Sequence, residues 1–374
     1  MIALSAVTDP DLPSPLAPDA PLHLKIFPLS SFQKVQASKG SASARDIAAP
    51  AAQCPARCPK HDHGRSQPSD LKRKVSHNQR KRGPMSFEKR LLSGEFVVLA
   101  EMNTPKGVDT SQFLFNARRI KGRVDGVIIP DMDNGIMRMS ALAGGVLMHQ
   151  QGIEAIIHIY CRDRNRMALQ GDILAAHALG IQNLIVVCAE NILNGDHHDA
   201  RPVNDLDELQ LLGAIRSLEE GADLAGIELS GAPRFTVGCT MSPCSNEKSL
   251  DCELELTAKK LAAGAKFIVT PPIFDIERSR SLLARASSLG APVISTVFLL
   301  KSVGAARYIA TNEPAAGISE ELIRRVRKAS DREMECIRIA GETAAALREL
   351  SQGVRIITLG WEHRLPTILD CAGL

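Results

Sequence analysis

Two carboxyl groups stand where apolar runs end: Glu101 closes Phe96-Val97-Val98-Leu99-Ala100, and Glu190 follows Leu184-Ile185-Val186-Val187-Cys188-Ala189. A carboxyl drawn partly out of water loses solvation of its charged form, so its pKa rises toward that of a general acid. A second such group nearby lets one site keep one acid neutral and another ionised. The plain alternative for each is a solvated strand end. His158 lies inside an apolar run and reads either as a satisfied core histidine or as a ligand contact. Arg162, Arg164 and Arg166 crowd the stretch just before a helical pattern, where guanidinium groups at a helix N-terminus suit a phosphate; surface solvation is the competing reading. Cys161 has no paired catalytic histidine pattern and is not expected to be a nucleophile. His197 and His198, between Asp196 and Asp199, read as a polar loop before they read as a metal site. Cys54, Cys58, His61 and His63 lack the spacing of a zinc finger, so no structural metal is expected there. Basic groups for a phosphorylated cofactor, two strand-end acids and no metal cage favour cofactor-assisted redox or isomerase chemistry over hydrolysis.

These residues need elements to hold them. From residue 95 onward, short β-branched runs alternate with stretches of helical period, the pattern of βα units on a parallel sheet. Eight strands can be counted: Phe96–Met102, Val124–Pro130, Ile153–Tyr160, Gln182–Cys188, Arg234–Thr240, Lys266–Thr270, Pro292–Leu299 and Val354–Leu359. Helical segments lie between them, including 167–179, 206–218, 253–263 and 276–289, and Gly180, Gly264 and Gly290 stand where helices commonly end. Eight repeats over 95–374 predict a closed (β/α)8 barrel, with a longer loop near 190–204 and an extended helical region over 318–350. An open doubly wound sheet is the weaker choice, because Glu101-Met102-Asn103-Thr104-Pro105-Lys106-Gly107 carries no glycine fingerprint after the first strand. In such a barrel the candidate chemistry sits at the C-terminal strand ends, which also hold Asp131, Asp133, Tyr160, Thr240, Thr270 to Asp275 and Thr358 to Glu362.

The chain divides by composition. Residues 1–84 hold 13 basic and 6 acidic side chains and 11 of the 21 prolines, which predicts a disordered extension, while 85–374 forms the folded domain. Met85 also fits a true start, with the preceding segment a gene-calling artefact. Lys72-Arg73-Lys74 and Arg80-Lys81-Arg82 read as a solvated tail rather than a localisation tag. With 45 basic and 42 acidic residues overall, there is no polyanion footprint, and aromatics at 3% leave few rings for stacking on single strands. Nucleic acid is therefore not an expected partner. No apolar run approaches the roughly 18 residues of a membrane span, and no signal-peptide core is evident, so the expected address is cytoplasmic.

Read in order, Glu101 after its apolar strand, His158-Ile159-Tyr160-Cys161-Arg162-Asp163, Glu190, Lys259-Lys260-Leu261-Ala262-Ala263-Gly264-Ala265, Thr270-Pro271-Pro272-Ile273-Phe274-Asp275 and Thr358-Leu359-Gly360-Trp361-Glu362 resemble the methylenetetrahydrofolate reductase family from about 87 to 374. Cys161 to Arg166 and Leu211 to Arg216 resemble a bacterial branch with a longer strand-four loop. The resemblance implies a flavin-bearing barrel, FAD with FMN as the alternative, that reduces 5,10-methylenetetrahydrofolate to 5-methyltetrahydrofolate with NAD(P)H or another donor. It implies Glu101 as the general acid and Glu190 as the acid beside the flavin. His158, Glu253 and Lys260 match flavin-contacting positions, and Tyr160, Arg162 and Arg164 join them as cofactor-side candidates. Glu101, Thr240, Pro271 and Phe274 are the substrate-side candidates.

The chain departs from the family pattern at named places. Cys188-Ala189-Glu190 stands for the common Arg-Gly-Asp, Glu253 replaces an aspartate, Pro271 stands where a glutamine is usual, and Thr240-Met241-Ser242-Pro243-Cys244 lacks a familiar tyrosine. Arg162, Arg164 or Arg166 would supply the missing guanidinium. Two other readings remain: another flavin oxidoreductase on the same barrel served by a partner electron-transfer subunit, and a catalytically silent barrel subunit. A homo-oligomer is compatible with each.

Overall fold

The alternating pattern folds as a closed barrel. The computed structural model describes residues 85–188 and 191–374; the extension 1–84, with its Cys54, Cys58, His61 and His63 cluster, and Glu190 lie outside the described residues. The elements run α1 (Phe87–Leu92), β1 (Val97–Glu101), α2 (Ser111–Ile120), β2 (Gly126–Ile129), α3 (Ala141–Gln150), β3 (Ala155–Tyr160), α4 (Arg166–Ala178), β4 (Asn183–Val187) and α5 (Glu208–Glu219). They continue with β5 (Thr236–Thr240), α6 (Glu247–Ala262), β6 (Phe267–Pro272), α7 (Ile276–Ser287), β7 (Val293–Phe298), α8 (Val303–Asn312), α9 (Glu320–Lys328), α10 (Arg332–Leu347), β8 (Gly353–Ile357) and α11 (Leu365–Ala372). All eight strands are parallel neighbours in chain order, and β8 closes on β1. The predicted eightfold barrel is therefore the observed one, with the extended region resolving into α9 and α10.

Helix boundaries follow capping chemistry. Asn165 accepts from the Ala168 amide at 3.0 Å to start α4, and Asp207 and Gln210 form a reciprocal capping box at α5. Gly180, Gly264 and Gly290 all take positive φ just beyond α4, α6 and α7, a conformation costly for residues with a Cβ.

Side chains alternate across each strand, so one parity fills the barrel and the other packs under the helices. On β1, Val97 and Leu99 face the interior cluster with Ile128, Ile156, Ile185, Phe267, Val269 and Ile294, while Val98 and Ala100 pack in the outer layer. Each fully buried Val, Leu, Ile or Phe contributes about 1.5–3 kcal/mol. Phe87 of α1 plugs the N-terminal end, its ring edge-on to Phe267 at 5.4 Å. Gly238 on β5 is where a Cβ would meet that Phe267 ring at 2.3 Å, so only glycine admits the aromatic to the interior.

Candidate active site

The inward parity that places Val97 and Leu99 in the core continues to Glu101, which ends β1 at the top of the interior and is only 4% exposed. Its partner is Arg355, an inward residue of β8 set one step lower by the register Leu99 to Arg355 and Glu101 to Ile357. Arg355 donates from Nε to Glu101 Oε2 at 2.8 Å, and a second guanidinium nitrogen donates to the same oxygen. The other oxygen, Oε1, is left to serve another partner. Burial raises the Glu101 pKa; Arg355 opposes this, and Asp133 adds to the rise.

β3 supplies the next wall. His158 and Tyr160 share the inward parity of Ile156, with the Tyr160 hydroxyl 3.4 Å from His158 Nδ1 and 3.3 Å from Asp133 Oδ1, to which it donates. If Tyr160 donates to Asp133, His158 Nδ1 must carry the hydrogen toward Tyr160, which makes Nε2 the acceptor. That Nε2 is buried and has no partner among the described residues. Burial, reinforced by Arg355, holds the imidazole pKa well below its ordinary value, so the ring is neutral.

Asp133 arrives from the turn after β2. Met132 and Asn134 on either side of it adopt left-handed backbone, φ 50° and 58°, an unusual conformation for residues with a Cβ. The turn is pinned by Arg162, which donates to the Met132 carbonyl at 3.0 Å. Burial raises the Asp133 pKa against the field of Arg355.

Glu101, Asp133, Asn134, His158, Tyr160, Thr240, Pro271 and Arg355 line a cavity of about 110 Å³ at the mouth, together with apolar Val187, Met241, Pro272 and Phe298. An outer cavity of about 730 Å³ adjoins it, sharing Asp133 and Asn134, with Met102, Phe113, Arg138, Lys301, Tyr308 and Trp361 among its walls. Lys301 lies over the Trp361 ring at 5.3 Å and donates to the Leu359 carbonyl; burial pulls its pKa down to about 8. Ligand pockets typically begin near 300 Å³, so the mouth by itself is too small for a ligand with fused rings and the adjoining outer cavity supplies the room.

Of the residues singled out in the sequence, Glu101, Asp133, His158, Tyr160, Thr240, Thr270, Pro271 and Pro272 meet at this mouth. The others sit elsewhere. Arg162 stacks over the Tyr160 ring at 5.4 Å and grips Asp163 at 2.7 Å; Arg164 bonds Asp131 at 2.6 Å and Asp172 at 2.9 Å; Arg166 pairs with Asp205. The three guanidiniums are thus each held by a carboxylate rather than gathered as a phosphate cradle. Lys260 is 1% exposed behind the barrel, with Glu208 at 3.0 Å and the Thr240 carbonyl at 2.9 Å. Burial alone would lower its pKa, but Glu208 and Glu253 outweigh it and the net shift is upward. Phe274 packs edge-on against Phe298 at 6.0 Å. Burial pushes the Cys161 thiol up to about 12, which removes it as a nucleophile near neutral pH. Arg355 escaped the sequence reading, although a charged residue at inward parity in Val354-Arg355-Ile356-Ile357 was its signal.

A closed parallel barrel with buried titratable groups at the C-terminal strand ends is the architecture of a (β/α)8 enzyme. Comparison with known proteins takes this further. The profile of methylenetetrahydrofolate reductase matches residues 86–373, and the chain belongs to that family of oxidoreductases. Among solved structures, the chain is similar to tryptophan synthase from M. tuberculosis at 13% identity, covering 76% of this chain and 91% of that one with a TM-score of 0.39. It is also similar to EDTA monooxygenase (EmoA) from Chelativorans sp. BNC1 at 10% identity, covering 75% and 94%, with a TM-score of 0.42. Neither likeness speaks to chemistry. Among the described residues, no helix is long and apolar enough to cross a membrane.

The flavin implied by the family can be tested against the residues. A flat heterocycle suits the mouth: apolar walls, and a neutral His158 whose bare Nε2 awaits a donor N–H. The arginines expected to meet a phosphate, and Lys260, matched to a flavin-contacting position, are committed to carboxylates instead.

Proposed function

We propose that this protein reduces 5,10-methylenetetrahydrofolate to 5-methyltetrahydrofolate at the barrel mouth, with Glu101 as the acid. The observation that carries the reading is the Glu101 carboxyl itself, buried at the top of β1 with its pKa raised and one oxygen left open by Arg355. A flavin, FAD with FMN as the alternative, supplies the hydride chemistry when bound, and NAD(P)H is the proposed electron donor. Glu101 Oε1 passes a proton to the folate nitrogen that departs as the five-membered ring opens. His158 Nε2 accepts a hydrogen bond from a ring N–H, and Pro271, Pro272, Met241 and Val187 keep bulk water from the reacting centre. Glu190 would add negative charge near the cationic form of the substrate. The proposed setting is the cytoplasm, as a homo-oligomer or with an electron-transfer partner.

The test uses the full chain. A flavin absorption band in the purified protein is expected, bleached anaerobically by reduced nicotinamide and restored by methylenetetrahydrofolate. A band that bleaches but never returns with the folate would sink the substrate assignment. That outcome would favour a second reading, another oxidoreductase on this barrel served by a protein donor. Pro271, which offers no side-chain hydrogen bond to a pterin, and the committed Lys260, Arg162 and Arg164 support that alternative.

A further inference from the structure

Glu101 is paired with a cation that favours its ionised form, yet the proposed chemistry asks it to deliver a proton. Two guanidinium nitrogens of Arg355 converge on Glu101 Oε2, and charge-assisted bonds of this kind are about twice as strong as neutral ones. The same small cavity holds a second buried carboxyl, Asp133, whose bonding partners are neutral: the Tyr160 hydroxyl at 3.3 Å on Oδ1 and the Asn134 side-chain amide at 2.7 Å on Oδ2. Asn134 can serve either state, because a half-turn of its amide offers an oxygen to a protonated Oδ2 instead of an N–H. Two carboxylates and one guanidinium in a shared desolvated space leave one negative charge uncompensated, so one carboxyl keeps a proton. The carboxyl without the guanidinium contact is Asp133.

Its place in the fold gives that proton a route. Asp133 and Asn134 are the two residues common to the mouth cavity and the larger outer cavity. We propose that Asp133 holds the resting proton of the site and relays it to Glu101, joining the outer cavity to the reacting centre. This rests on the reading of Glu101 as the acid and adds a residue that the resemblance does not assign. The proton leaves Asp133, enters Glu101 Oε1 and passes to the departing nitrogen; Asp133, now a carboxylate, is refilled from solvent reaching the outer cavity. The charged and titratable groups acting on the pair are Arg355 and Glu362 from β8 and the turn after it, His158, Tyr160 and Arg162 from β3 and its turn, and Arg138 from the turn after β2.

Infrared difference spectroscopy of the full chain tests this directly, since a protonated carboxyl absorbs apart from a carboxylate. The wild-type protein at neutral pH is expected to show a buried protonated-carboxyl band that shifts when aspartate carries a carbon-13 label on its side-chain carboxyl, that Asp133→Asn abolishes and that Asp133→Glu restores. Circular dichroism of each variant checks that the barrel has folded. A band that shifts with labelled glutamate and not with labelled aspartate overturns the proposal, as does a band absent from the wild type or kept in Asp133→Asn. The measurement needs neither flavin nor folate, so it stands or falls separately from the proposed reaction.

Discussion

The two ends of the barrel both bury an arginine against a carboxylate, and they use the pair differently. At the bottom, Arg90 Nε lies 3.0 Å from Asp125 Oδ1, and Asp125 Oδ2 accepts the Val98 amide at 2.7 Å, tying α1 and the start of β2 to β1. Phe87 and Leu91 cover the region, and the Asp125 side chain has no exposure. At the top, Arg355 and Glu101 are almost as buried, but a cavity adjoins them, a second acid shares it, and the imidazole Nε2 of His158 has no partner among the described residues. The lower pair is closed and structural; the upper one keeps hydrogen-bonding capacity in reserve for a ligand.

The contrast can be broken at either end. Arg90→Met should strand the buried Asp125 charge and cost about 3–5 kcal/mol, read from chemical denaturation, whereas a loss below 1 kcal/mol would erase the structural role. Glu101→Gln should cut folate reduction about a hundredfold while leaving nicotinamide oxidation nearly unchanged. Equal loss in both half-reactions would remove the acid role. Midway along the interior, Gly238→Ala would push a methyl into the Phe267 ring and should destabilise by about 1–3 kcal/mol, with no effect on proton transfer.

The smallest effect is a slope in the pH dependence of stability. Glu101 and Asp133 have folded pKa values raised above their ordinary 4.5 and 3.8, so over that interval the native state binds more protons than the unfolded chain. Their contribution is complete below the ordinary values and is lost as pH climbs through the raised folded values. Denaturation midpoints taken from acid toward neutral pH should show this decline, and the double variant Glu101→Gln, Asp133→Asn should flatten it. A decline of the same size in the double variant would locate the titrating groups elsewhere.

Much of the top end was legible from the chain. An acid that closes an apolar run reads equally as a desolvated group or a solvated strand end, and it is inward parity in the closed barrel that buries Glu101, His158 and Tyr160. Asp133 could be placed at a strand end but not given a partner. Arg162, Arg164 and Arg166 read as a cationic cluster because sequence displays charges without their neighbours; Asp163, Asp131 and Asp205 turned out to be those neighbours.

Periodicity and glycine punctuation determined the eight strands, their alternation and the closing acid of the first, since these depend on local backbone geometry. Pairing was decided by closure alone. Arg355 lies 254 residues from Glu101 and meets it only because β8 returns beside β1 in one register. Electrostatic partnership depends on distance through space, and until the sheet closes, the chain does not specify which cation an acid will face.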